Sequence, residues 1–509
     1  IGLGTLAAGI LGIAGLAAGG GGGSSSNSSV RVQEQAQALD LINITLKNGN
    51  MSSFPVSGYN AAGITGVSAD NVNFINDALN TNAAGNVPLR TAAEIQTIVN
   101  ISNAIFFGAD GIPNGGVSLT AAQYSAIGIS GLSNVEVSLL NSIIDRLSVG
   151  DVKTIVDIQA LANAIHAIST GLNGGVTATP EQFNILGIHG VTTNNLDAIY
   201  AGLAESSKNG TAIGTISELS TIVKNIVDAF IAIGIAAETN NPTIILDASI
   251  YSAAGIRGVS VENVGAINSA LASSTVGAPA VNSLAGIQTL VDAYNAVLSG
   301  AGGTIKGNLQ ATALQFATIG VTGLNFESAT LLDSIIDALP KGAADTIPKI
   351  QVLADAVNAI FSGAAGGNGP TLAQLNALGI TGVTEANLAA VLAAIHNTPD
   401  DGSAVDTQGE LQAIVINVVT AINAISTAAQ ANNTASLTEA VYAMAGVNGV
   451  TSNNVAFINS VLDGSNIGSD ATNTPAGIQT IVDASNAILL GADGITNGNA
   501  QATIEQYNA

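Results

Sequence analysis

The sequence predicts an all-α chain: a tandem array of small three-helix-bundle modules, preceded by an apolar N-terminal segment and a Gly/Ser linker. Three observations lead there. The phrase "YNAAGITGVSADNV" from Tyr59 returns as "YSAAGIRGVSVENV" from Tyr251 and "YAMAGVNGVTSNNV" from Tyr442. Its "G-[IV]-x-G" core recurs at Gly63, Gly128, Gly187, Gly255, Gly320, Gly379 and Gly446, with spacings of 65, 59, 68, 65, 59 and 67 residues. Segments after each core carry apolar residues at helical spacing, and none alternates with period two for long enough to require a strand.

The spacings have a rhythm of their own. Gly63 to Gly255, Gly128 to Gly320 and Gly187 to Gly379 each span 192 residues, and Gly255 to Gly446 spans 191. A unit of three modules is therefore duplicated, and a third copy begins. The closing "YNA" at Tyr507 places the next glycine at position 511, so the array is expected to continue.

Residues 1–18, "IGLGTLAAGILGIAGLAA", carry no charge. Their length is near the minimum for a bilayer span, although five glycines weaken the helix. They fit either a membrane-associated segment or the buried or artificial end of a piece cut from a longer precursor. Residues 19–29 read as a flexible Gly/Ser linker, and 30–54 as a degenerate helical lead-in. Seven modules follow at 55–117, 118–177, 178–243, 244–309, 310–369, 370–434 and 435–500, and 501–509 opens an eighth.

Within each module the first helix begins on a capping box, in which a Ser/Thr hydroxyl and a Gln/Glu three residues on satisfy each other's backbone donors. The expected pairs are Thr120 with Gln123, Thr312 with Gln315, Thr371 with Gln374, Ser436 with Glu439 and Thr503 with Gln506; Thr179 adds Pro180 at the favoured first position. This short helix stops at the recurring glycine, which suits a left-handed cap. The second starts from Ser68, Ser133, Ser260, Thr384 or Thr451 and carries an apolar face such as Val72, Ile75 and Leu79. The third is longest: "TAAEIQTIVNISNAIF" places Ile95, Ile98, Val99, Ser102 and Ile105 on one face. Ile287, Leu290, Val291, Tyr294 and Val297 do the same, as do Ile478, Ile481, Val482, Ser485 and Ile488. "TIILDASIY" near 243–251 is ambiguous between strand and helix. Four residues before each glycine stands Tyr59, Tyr124, Phe183, Tyr251, Phe316, Leu375 or Tyr442, expected to plug the junction of three helices rather than to stack a ligand.

Composition restricts function. Only 9% of the 509 residues are charged, and 35 acids against 11 bases give a net charge of -24. Nucleic acid is an unsuitable partner, because a phosphate backbone needs a Lys/Arg footprint. Cysteine is absent, which excludes disulfides, thiolate metal sites and a Cys nucleophile. The glycines at 19–23 have no following lysine and make no phosphate loop. Serines without a partnered histidine offer no triad.

The three histidines read as solvated or locally satisfied. His189 occupies the variable slot of "GIHGV", His166 aligns with Asn358, and His396 ends a second helix. "GADGIPNGG" with Asp110 and Asn114, and "GADGITNGN" with Asp493 and Asn497, invite a calcium reading. The equivalent "GAGGTIKGN" from Gly300 has no acid, and one or two carboxylates without EF-hand spacing make a poor site. No catalytic, cofactor-binding or metal residue is therefore assigned, no cofactor is expected, and the chain is read as not an enzyme.

The sixth module, "LGITGVTEANLAAVLAAI…VDTQGELQAIVINVVTAI", resembles the GA-like three-helix module of very large bacterial surface proteins, itself similar to the albumin-binding GA bundle. The shared features are a glycine ending the first helix, a "GV" entering the second, and a third helix of "EIQ-x-[IL]-V" type, over residues 55–509. The apolar and polyglycine opening is similar to the N-terminal region of giant secreted adhesins of Gram-negative bacteria. The resemblance implies a cell-surface or extracellular protein with an adhesive or stalk role in surface attachment or biofilm. Albumin binding does not carry over: that family binds through exposed residues of the second helix, and here "ADNVNFINDAL" and "NVEVSLLNSII" differ. The partner is an unknown surface or protein ligand, with membrane association through residues 1–18 a further expectation; specific host-protein-binding modules are the alternative.

Overall fold

The computed structural model describes residues 26–81, 90–113, 115–208, 213–239, 245–273, 276, 281–301, 310–399, 404–464, 467, 469–492 and 502–508. Among them every regular element is a helix, and no strand forms; one isolated antiparallel bridge joins Asp110 to Ser148. The ambiguous segment becomes coil at 245–247 and the helix Ala248–Ala253. The apolar opening, 1–18, lies outside the described residues. A helix Ser26–Lys47 starts inside the stretch expected as linker, 19–29, and supplies most of the lead-in.

Helices then come in seven triplets, each with a six-residue short helix, a middle helix and a long one. Triplet one is Val56–Ala61, Val72–Thr81 and Ala92–Gly108; triplet two is Ala121–Ala126, Asn134–Ile144 and Ile155–Leu172. Triplet three is Pro180–Ile185, Leu196–Lys208 and Ile216–Thr239; triplet four is Ala248–Ala253, Val264–Leu271 and Leu284–Gly300. Triplet five is Ala313–Thr318, Phe326–Ala338 and Ile347–Ala364; triplet six is Leu372–Ala377, Leu388–His396 and Gln408–Gln430. Triplet seven is Glu439–Met444, Val455–Leu462 and Pro475–Gly491, with a four-residue helix Ser469–Thr472 ahead of its long helix, and Ile504–Asn508 follows. The long helices measure 17, 18 and 24 residues, then 17, 18 and 23, then 17, so the 192-residue rhythm is also a rhythm of helix length. The chain forms two compact units, divided inside the long helix of triplet three at residues 230 and 231, with 253–255 assigned to the first.

The repeated glycines set the corner of each triplet. Both glycines of every "G-[IV]-x-G" have φ between 74° and 99°, where a Cβ is strained. At Gly63 the amide bonds Asn60 O and the next amide, Ile64 N, bonds Tyr59 O. This is a Schellman ending, and its apolar contact is supplied by the buried Ile64. The ring residue thus holds the corner through its backbone as well as its side chain. The residue just before the second glycine is gripped through its backbone: Gln96 accepts from Thr65 N and donates to Thr65 O, and a threonine hydroxyl adds a longer bond to the same glutamine. Gln159, Gln288, Gln351, Gln412 and Gln479 repeat the grip. That slot therefore tolerates Thr, Ser, Arg and Asn, and the glutamine of the "EIQ" phrase has its reason.

Capping boxes form at Thr120, Thr179, Thr312 and Thr371 as expected, and reciprocal bonds join Thr503 and Gln506. The expected Ser436–Glu439 box does not form. Glu439 is the first residue of its helix, with Thr438 at the cap, so its carboxylate stands two positions too early to reach back. Ser133 caps its helix, but the helices expected from Ser68, Ser260, Thr384 and Thr451 begin one turn later, at Val72, Val264, Leu388 and Val455. In each, an asparagine three residues on takes the Ser/Thr amide on its side chain and closes a turn ahead of the helix.

Long-helix faces bury as the spacing predicts: Ile95, Ile98, Val99, Ser102 and Ile105 are all buried, as are Ile287, Leu290, Val291, Tyr294 and Val297. In triplet seven Ile488 is only half-buried. Two long helices, Ile216–Glu238 and Gln408–Gln430, are long and apolar enough to cross a bilayer, yet Leu219, Val223, Leu411, Val415 and Val418 are buried as in a core helix.

One bond recurs between neighbouring triplets. The first amide of a long helix has no intrahelical acceptor, and at four junctions the preceding triplet's middle helix supplies one. Ile155 N donates to Asp77 Oδ2 at 2.6 Å and Ile216 N to Ser142 Oγ at 2.8 Å. Ile347 N donates to Ser269 Oγ at 3.0 Å and Gln408 N to Ser334 Oγ at 3.1 Å. In triplet six the position is Ala393, and the next long helix starts on Pro475, which has no amide hydrogen. That junction packs backbone instead: a Cβ on Gly446 would fall 2.5 Å from the Cβ of Ala390.

Candidate functional site

The seven ring positions are the most regular chemistry in the chain, and all seven side chains are fully buried. Each tyrosine hydroxyl donates to an asparagine seventeen residues on: Tyr59 to Asn76, Tyr124 to Asn141, Tyr251 to Asn268 and Tyr442 to Asn459, at 2.6–2.7 Å. The asparagine amide then donates to the carbonyl of Phe54, Leu119, Leu246 or Leu437 ahead of the short helix. Ring, middle helix and entering chain are tied in one network, buried at Asn76 and Asn459 and half-buried at Asn141 and Asn268. Burial pushes these phenols well above the ordinary tyrosine range, so the hydroxyls remain protonated donors.

The pairing was not anticipated, although a signal existed. Where the ring has no hydroxyl the asparagine is gone too: Phe183 stands with Tyr200, Phe316 with Asp333, and Leu375 with Leu392. Tyr200 accepts from Ala178 N at 2.7 Å. Asp333 Oδ1 accepts from Ala311 N at 2.9 Å, and burial raises its carboxyl to about 6. The ring row is a structural tie with its polar atoms consumed internally. The eighth ring, Tyr507, is exposed.

The histidines are separate from one another. His189 Nδ1 meets Asn184 Oδ1 at 2.7 Å in the exposed turn, and His396 Nδ1 lies 3.3 Å from Gly363 O. His166 is more than half exposed, and its Nδ1 lies 3.1 Å from Oε1 of the buried Glu136. Burial works to raise the Glu136 pKa, but hydrogen bonds from Ser133, His166 and Ser169 outweigh it and hold the carboxylate below its usual range. The counterparts of this pair explain it. Asn71 with Asn103, Asn263 with Asn295 and Asn454 with Asn486 brace the middle helix against the long one at the same place. A hydroxyl activated by His166 is not among the bonds of this cluster: Ser133 Oγ caps the helix by accepting from Glu136 N. His166→Asn is expected to change the stability of triplet two by less than about 1 kcal/mol, since His166 is more than half exposed and the pair is screened. Native-state hydrogen exchange across Ile155–Leu172 measures this.

Of the residues considered for calcium, Asp110 Oδ1 accepts from Ile112 N within its own turn. Asn114, Asp493 and Asn497 lie outside the described residues. Among the described residues no group of three His, Asp or Glu side chains is placed to hold a metal ion. A groove of about 1000 Å³ runs between triplets four and five, lined by Asn268, Ser269, Thr322, Gln351 and Asp355. Asn268 is engaged by Tyr251 and Leu246, Ser269 by Ile347, and Gln351 by Thr322 and Asp355. These polar groups hold the junction together rather than converge on the open space.

No protein-family model, curated protein or solved structure matches the chain.

Proposed function

We propose that the chain is a non-catalytic repeat region of a large bacterial cell-surface or secreted protein, in which each helix triplet is a small three-helix-bundle module and the array serves as stalk and adhesive display. The observation that carries this reading is the internal consumption of polar chemistry. Tyrosine hydroxyls, glutamines and the Asn–Asn braces recur in register and bond within their own triplets, and the recurring middle-helix serines bond to the next. A module of roughly 60 residues buries only about 60% of its unfolded surface and gains from its neighbours. Stability then becomes a sum of unit and junction terms, and length is added without redesign. Many weak contacts along one chain supply avidity.

Location at the cell surface follows from the GA-like resemblance and the acidic, sparsely charged surface. Specific binding of a host protein is the second reading, favoured by the same resemblance. Immobilised full chain challenged with serum, with cells and with bare mineral or polymer surfaces separates the two. Attachment to surfaces without saturable capture of a serum protein is expected; saturable capture of one serum protein establishes the second reading instead.

A further inference from the structure

We propose that the C-terminal half of the triplet-seven middle helix, Val455–Leu462, is a docking surface for the first turn of a long helix from a further helix triplet of this sequence type. Asp77, Ser142, Ser269 and Ser334 stand fourteen residues after their own first glycine, and each accepts the leading amide of the next long helix. Ser460 stands at that register after Gly446. The four engaged residues are half-buried, whereas Ser460 is exposed, and among the described residues it has no hydrogen-bond partner. Its hydroxyl faces solvent where the others face a neighbour.

The chemistry of the position selects the occupant. A hydroxyl or carboxylate there meets an N–H that the helix itself leaves without an acceptor. Where the following helix begins on Pro475, with no such hydrogen, the acceptor is absent as well and Ala393 takes its place. Triplet three also has an alanine at this register, Ala201, although the following long helix opens on Leu284, which carries an amide hydrogen. The tie is therefore made where the register holds Ser or Asp, as it does at Ser460. Ser460 has the acceptor, so it fits a long helix opening on a residue other than proline. The inference rests on the modular reading of the triplets and not on any adhesive role.

The test extends the full chain after Ala509 with a second copy of residues 319–369, which keeps the glycine register and supplies a second copy of the Ile347 amide. Residue-resolved hydrogen exchange is expected to find that copied amide protected. Ser460→Ala should speed its exchange about tenfold, the effect of one lost hydrogen bond, without changing the original Ile347 amide. Ser460→Asp should keep the protection, as Asp77 does. Equal exchange of the copied amide with Ser460 and with alanine, in an extended chain whose added helix is formed by circular dichroism, overturns the docking. Absence of the added helical signal overturns the modular reading and the docking with it.

Discussion

Asn76→Ala is expected to destabilise triplet one by about 3 kcal/mol, because two fully buried polar groups lose their partners at about 1–3 kcal/mol each. Tyr59 loses its acceptor at 2.6 Å and the Phe54 carbonyl loses its donor at 2.9 Å. Neither gains water, since Tyr59 and Asn76 are buried. Triplet six indicates the compensation: Leu375 and Leu392 fill the same two positions without any polar atom. The double change Tyr59→Leu with Asn76→Leu should therefore recover more than half of the loss, with the remainder belonging to Phe54. Hydrogen exchange of the Ala92–Gly108 amides reads the local opening free energy without assuming that the whole chain unfolds in one step. Additive single and double changes would show that the two residues do not act as a pair.

Asp333→Asn is expected to stabilise triplet five by about 2–3 kcal/mol at pH 7. The folded carboxyl titrates at about 6, raised first by burial and then by Asp337, whose own carboxyl burial also raises. The unfolded value is about 3.9, and one pK unit corresponds to about 1.4 kcal/mol. A carboxyl whose pKa rises on folding contributes stability that is fully present below the unfolded value and lost as pH rises through the folded one. Triplet five should therefore weaken between about pH 4 and 6.5. Asparagine removes most of that slope, leaving the smaller share of Asp337. It also completes the arrangement of triplet two, where Asn141 bonds both the amide and the carbonyl of Leu119. Thermal or denaturant profiles of the Ile347–Ala364 amides at pH 4.5 and 7.5 check the sign; a chain whose triplet five gains stability on raising the pH contradicts it.

What was legible in the sequence was whatever repeats locally. The corner glycines, the ring four residues before them and the apolar face of the long helix each lie within a few residues of one another, and backbone sterics and helical period read them directly. The second glycine of each corner was legible as a letter but not as a second left-handed residue. The starts of most middle helices were misplaced by a turn because Ser68 and Thr384 read as caps, while Asn71 and Asn387 close a separate turn ahead of the helix. The Tyr–Asn tie joins two helices across seventeen residues, and asparagine is too common on these surfaces for one copy to stand out; only the loss of asparagine wherever the hydroxyl is lost reveals it. Glu136 and His166, thirty residues apart, were hidden by the same distance. The junction bonds span 74–78 residues and become visible only when triplets are placed side by side.

Stretching the full chain between a surface and a cantilever tests the central idea most directly. Triplets that fold around their own ring and corner should yield one after another, each releasing roughly 20 nm of chain at about 3.6 Å per residue. One rupture that frees the whole length at once would contradict it.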